Sequence, residues 1–119
     1  MIAQYFQFLK TIAGSDPSVK NVRQISERIG VKTGYTRFAL ELRDGSELHV
    51  FEYVTSSMRK LDYSYHWQDK EQNLIMRWDN APHHPEVATH PHHLHHDGTV
   101  KPQQEPTLAE ILKMIGERL

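Results

Sequence analysis

Of the nine histidines in this 119-residue chain, eight lie between His66 and His96, most of them in Pro82-His83-His84-Pro85 and His90-Pro91-His92-His93-Leu94-His95-His96. An imidazole titrates near neutral pH and can take or give a proton, while arginine grips phosphate through two hydrogen bonds. RNA cleavage without metal needs a base for the 2′-hydroxyl proton, an acid for the leaving oxygen and a cation for the pentacoordinate phosphate. His66 and Arg77, with the loop histidines folding back over them, supply that set. The candidate catalytic residues are therefore His66, Arg77, His83, His84, His92 and His93, with Glu52 as a general base or orienting carboxylate. Asn80, Gln68 and His95 are candidate substrate contacts.

Two other readings use the same residues. His92 with His95, or His90 with His92, have short spacings that let imidazoles converge on one zinc or nickel ion, and Glu52 or Asp79 could complete the ligand set. The RNA reading itself calls for no cofactor. Alternatively, a Pro/His-rich loop lies over a sheet with its rings bonded to backbone groups, and Arg77 with Asp79 or Glu52 is an ordinary ion pair. For any single histidine that structural reading weighs as much as a functional one; for eight together it weighs less. A histidine-rich metal-binding or protein-interaction domain without catalysis is thus the alternative to an enzyme.

Composition narrows the classes. Cysteine is absent, which excludes disulfides, thiol nucleophiles and Cys-ligated metal sites. The 14 Lys+Arg and 15 Asp+Glu nearly cancel, so any site for a polyanion must be a local patch. No apolar run approaches the ~18–20 residues that span a bilayer, and Met1 to Lys10 lacks the features of a secretory signal, so a cytoplasmic protein with no membrane association is expected. The length suits one domain, residues 1–119.

The elements that must position these residues read as follows. Ile2, Tyr5, Phe6, Leu9, Ile12 and Ala13 predict an amphipathic helix over 2–13, ended by Gly14. Val19, Val22, Ile25 and Ile29 fit either a second helix or a β-strand; local pattern alone favours the helix. From Gly34 the period is two, with Phe38, Leu40 and Leu42 on one face, and Asp44-Gly45 predicts a hairpin. A three-residue loop with Gly45 left-handed keeps the even-numbered positions together and puts Glu52 on the face of Leu48 and Val50.

A second hairpin follows. With a four-residue loop over Asp69–Gln72, Tyr63, Tyr65 and Trp67 share a face with Leu74, Met76 and Trp78, and His66 lies with Ile75 and Arg77 on the other. The aromatic stripe reads as core, its competing use being to stack bases. In this register Glu52 and His66 fall on opposite faces. Residues 80–106 hold five of the six prolines and no sustained period, which predicts a long irregular loop. Thr107 and Glu110 then form a capping box for a closing helix. The expected fold is α+β: a central antiparallel meander of about four to five strands, packed by N-terminal and C-terminal helices.

Four strings carry a resemblance: Asp44-Gly-Ser-Glu-Leu-His-Val-Phe-Glu-Tyr53, Tyr63-Ser-Tyr-His-Trp-Gln-Asp69, Arg77-Trp-Asp-Asn-Ala-Pro-His-His-Pro-Glu86 and Pro91-His-His-Leu-His95. Together they make the chain similar, over nearly its whole length, to the TumE-like family of toxins from bacterial toxin–antitoxin systems. His90 stands where the family pattern has an aromatic residue, and Leu94 where it is usually basic, which would remove a phosphate contact. The resemblance implies a toxin encoded beside a helix-turn-helix antitoxin; RNA as its substrate follows from the functional-group chemistry above, and the sequence leaves both a monomer and a homodimer open. It implies no settled catalytic mechanism.

Overall fold

The computed structural model describes residues 1–119. Helix α1 (Ile2–Ser15) is followed by strands β1 (Val19–Ile29), β2 (Thr33–Leu42), β3 (Glu47–Thr55), β4 (Lys60–Gln68), β5 (Leu74–Asp79), β6 (His93–His96) and β7 (Thr99–Pro102), and helix α2 (Leu108–Arg118) closes the chain. All seven strands belong to one antiparallel sheet in the order of the sequence. The expectation of four to five strands is therefore wrong. The additional strands are β1, from the segment that favoured a helix, and the β6–β7 hairpin, from the segment expected to be irregular.

β1 resembles a helix in sequence because it is bulged. Its ladder with β2 pairs Val19 with Leu42 and Val22 with Leu40, skipping Lys20, and pairs Gln24 with Phe38 and Glu27 with Thr36, skipping Ile25. Each skipped residue stretches the strand spacing from two to three, so Val19 and Val22 reach one face at a helix-like interval. β6 and β7 have four residues each, too few to show a period.

Both helices cover the same face of the sheet. Ile2, Phe6, Leu9 and Ala13 of α1 and Leu108, Ile111, Leu112 and Ile115 of α2 join Phe38, Leu40, Leu48, Val50, Tyr65 and Trp78 in one buried cluster. In β2–β3 the pairs Phe38–Val50 and Leu40–Leu48 sit on either side of a three-residue loop in which Gly45 has φ +88°. Trp67 and Trp78 are each only 3% exposed. Drawing such a ring out to stack on a base would gain about 1–3 kcal/mol and forfeit a comparable burial, so the aromatic stripe is core.

The β4–β5 register differs from the four-residue-loop expectation. The loop takes five residues, closed by Asp69 N donating to Asn73 O, and the strands pair Tyr65 with Trp78 and His66 with Arg77. A bulge beside Gln68 leaves Leu74 49% exposed instead of in the core. Met76 and Trp78 keep the core face, and His66 comes directly opposite Arg77.

Candidate functional site

The helix-free face of the sheet carries the residues that alternate with the core. Across β3 to β6 one row reads His49, His66, Arg77, His95, and its neighbour reads Phe51, Ser64, Asp79, His93, each pair set by the ladder. Arg77 is the joint between them. Its Nη1 lies 3.1 Å from His66 Nδ1 and its Nε donates to Asp79 Oδ2 at 3.0 Å. Arginine cannot accept, so His66 Nδ1 is the acceptor and Nε2 carries the proton of the neutral ring. Burial, and after it the Arg77 charge, hold the His66 pKa below its ordinary 6.5, which keeps the ring neutral at pH 7.

Beside His66 the surface sinks into a cleft of about 280 Å³ bordered by Arg37, His49, Phe51, His66, Gln68 and Arg77. His49 faces His66 edge-on with ring centres 6.5 Å apart, and its Nε2 pairs with Glu47 Oε1 at 3.0 Å. The Arg37 guanidinium stands 4.3 Å over the Phe51 ring. A single polar wall thus offers two imidazoles and two guanidinium groups to one concavity.

On the other side of Arg77, Asp79 is a hub. Besides the guanidinium it accepts from Ala81 N at 2.9 Å, and its two oxygens lie 3.0 Å from His93 Nε2 and 3.4 Å from His95 Nε2. The loop after β5 turns at once, His83 N donating to Ala81 O, which sets His84 against this group, and then runs on to β6 through turns closed by Val87 N to His84 O and His90 N to Val87 O. Its ring stands edge-on to those of His93 and His95, centres 5.0 and 5.6 Å away.

Residues 9–119 match the family described as Toxin TumE. The chain belongs to the TumE toxin family. Comparison with curated proteins and with solved structures gave no match. Membership implies an antitoxin as partner. No helix is long and apolar enough to cross a membrane.

Of the residues singled out in this TumE chain, the structure brings together His66, Arg77, Gln68, His84, His93 and His95 on the open face. It places the others elsewhere. Glu52 lies on the helix-covered face, 0% exposed, where the Tyr5 hydroxyl donates to it at 2.5 Å and Tyr65 donates as well, with Lys60 Nζ 4.0 Å away. It can neither orient nor relay a proton to His66. His92 stacks on Tyr63, a core-face residue, and meets its hydroxyl at 2.9 Å through Nδ1. His83 and His90 are exposed. The metal sets suggested by spacing, His92 with His95 and His90 with His92, therefore do not form. The three histidines that converge are His84, His93 and His95, whose ligand atoms lie within 4.8 Å of one another.

Asn80 is tied to the fold: it accepts from Tyr63 N and donates to Leu61 O, both at 3.1 Å, extending the grip of β5 on β4. Leu94 pairs with Trp78 and joins the core cluster, so a basic residue at this family position would lie on the face away from Arg77. Sequence reasoning missed His49 and Arg37 as site residues and named Asp79 as an ion-pair partner of Arg77 or a completing metal ligand. The signal for His49 was present, because it alternates with Leu48 and Val50 and so shares the face of His66.

Proposed function

We propose that this TumE toxin cleaves RNA in the cleft between His49, His66 and Arg77. The observation that carries this reading is the contact of a neutral imidazole with a guanidinium, His66 Nδ1 to Arg77 Nη1 at 3.1 Å, on a solvent-facing wall with a second imidazole and a second arginine. A phosphodiester entering the cleft competes for the Arg77 guanidinium through charge-assisted hydrogen bonds. That frees the His66 Nδ1 lone pair, which takes the 2′-hydroxyl proton as the 2′-oxygen attacks phosphorus. His49, when protonated, gives its proton to the departing 5′-oxygen, and Arg37 with Arg77 offsets the charge that builds on the phosphorane. The products are a 2′,3′-cyclic phosphate and a 5′-hydroxyl. Base, acid and cation are all side chains of this chain, and the antitoxin would silence the toxin by covering this wall.

Expression of the chain without its antitoxin should arrest growth, and purified protein should release fragments ending in 2′,3′-cyclic phosphate. His66→Ala and Arg77→Ala should each reduce the cleavage rate by 10² or more, the scale of a lost general base or transition-state cation. Intact RNA in arrested cells, or full activity in folded His66→Ala protein, would overturn the reading.

A further inference from the structure

Around His93 the neutral rings leave one close contact without a proton between its atoms. His93 is 2% exposed, and its Nδ1 meets the Pro91 carbonyl oxygen at 2.8 Å, an atom that can only accept. Nδ1 therefore carries a proton, and in the neutral ring Nε2 is a lone pair. That lone pair faces Asp79 Oδ1 at 3.0 Å and His95 Nε2 at 3.0 Å. A carboxylate has no proton to offer, so the contact is filled either by a second ring proton, which makes His93 an imidazolium, or by a metal cation, and the convergence of His84 and His95 on the same point favours the cation. His84 is arranged the same way: its Nδ1 lies 3.2 Å from Glu86 Oε2, which leaves Nε2 as its free nitrogen. Bonding of one ring nitrogen to a carbonyl or carboxylate, with the other left bare, is how proteins orient imidazoles toward a metal ion.

We infer that His84, His93 and His95, seated on the Asp79 carboxylate, bind one divalent transition-metal cation, with zinc as the best fit. The spacing suits it. Four ligands at zinc–nitrogen distances near 2.05 Å stand about 3.3 Å apart in a tetrahedron; the atoms of Asp79, His93 and His95 are 3.0 to 3.4 Å apart, and the ligand atoms of His84, His93 and His95 lie within 4.8 Å of one another, so closure on an ion draws His84 inward. The three rings stand edge-on, at 65° to 76° to one another, so each can point its nitrogen edge at a shared centre. Nitrogen-rich donors favour zinc, nickel or copper over magnesium or calcium. Two ligands come from β6 and one from the loop between β5 and β6, so the ion fastens that loop to the sheet beside Arg77. The site is distinct from the cleavage cleft, and it stands whether or not RNA is the substrate.

The test uses full-length protein purified without a nickel column and stripped with a chelator. Zinc titration against a chromophoric competitor should show one equivalent bound tightly per chain, and the melting temperature should rise by several degrees with zinc and not with magnesium. His84→Ala and His95→Ala should each weaken binding 10-fold or more, while His83→Ala, His90→Ala and His66→Ala leave it unchanged. His66→Ala separates the two proposals, since it should remove cleavage and keep the metal. Binding that is weak and of mixed stoichiometry, that survives loss of both His84 and His95, or that falls with His83 or His90, would mark an adventitious histidine-rich surface and overturn the site.

Discussion

Each face of the sheet buries one carboxylate among titratable partners, and the two groups differ in what those partners can do. On the helix-covered face Glu52 receives the hydroxyls of Tyr5 and Tyr65, while Lys60, 7% exposed, caps the group through Tyr65 Oη at 2.7 Å and the Pro106 carbonyl at 2.6 Å. The two hydroxyls do not exchange protons near pH 7: burial, then Glu52 itself, push Tyr5 and Tyr65 well above the ordinary tyrosine range. On the open face Asp79 receives a guanidinium and faces two imidazoles, and His84, His95 and Arg77 keep 30%, 29% and 38% of their side chains exposed. Carboxylate burial is common to both. Chemistry belongs to the face whose partners can trade a proton or a ligand with solvent.

The largest effect expected from this contrast is on stability. Glu52→Ala leaves the Lys60 ammonium and two hydroxyls without their acceptor inside the protein, a change that costs about 3–5 kcal/mol in buried ion pairs and most of a typical total of about 5–15 kcal/mol. His66→Ala, at a half-exposed position, should lower the unfolding free energy read from urea denaturation by less than about 1 kcal/mol while removing toxicity. A Glu52→Ala protein that is fully stable yet inactive would erase the distinction between the faces and return Glu52 to the chemistry.

Much of the helix-covered face was legible in the sequence, because burial enforces a period. The parity of Phe38, Leu40, Leu48 and Val50 demanded the three-residue loop at Gly45, and the same parity predicted the face of Glu52. The capping box of Thr107 and Glu110 marked the start of α2. The rest was hidden for identifiable reasons. The bulges at Lys20 and Ile25 gave β1 a helix-like spacing, and the five-residue loop together with the bulge beside Gln68 moved the β4–β5 register by two positions. On the open face polar residues obey no period, so nothing local distinguished His93 and His95, which meet Asp79, from His92, which turns to Tyr63. Only the ladder does so, by setting Asp79 opposite His93 and Arg77 opposite His95.

A smaller effect should appear in alkali. The folded pKa values of Tyr5, Tyr63 and Tyr65 are raised above their ordinary 10.0, with burial as the main cause in each. Below pH 10 both folded and unfolded chains hold these protons, so nothing is lost. Above it the unfolded chain releases them first, and stability must fall as pH rises. Melting temperature followed from pH 8 to 11 should therefore drop beyond pH 10, with tyrosinate absorbance appearing together with unfolding. Smooth ionisation of these hydroxyls in still-folded protein would mean that water reaches the Glu52 group, and the two faces would differ less than the geometry says.

The smallest expected effect, and the sharpest for the open face, is a shift in one imidazole. Burial is the first cause of the lowered His66 pKa and Arg77 the second. Arg77→Gln removes the charge and leaves the burial, so the His66 pKa should rise part of the way toward 6.5. Because the folded value is depressed, falling pH protonates the unfolded chain first, and the contribution of His66 to stability is lost as pH drops through its folded pKa. The acid limb of any residual cleavage activity in Arg77→Gln should move up with it. Imidazole proton resonances followed across pH 4 to 8 in both proteins would measure the shift. An unchanged His66 titration would mean that guanidinium and imidazole do not interact in solution, and the release of Nδ1 by an incoming phosphate would lose its physical basis.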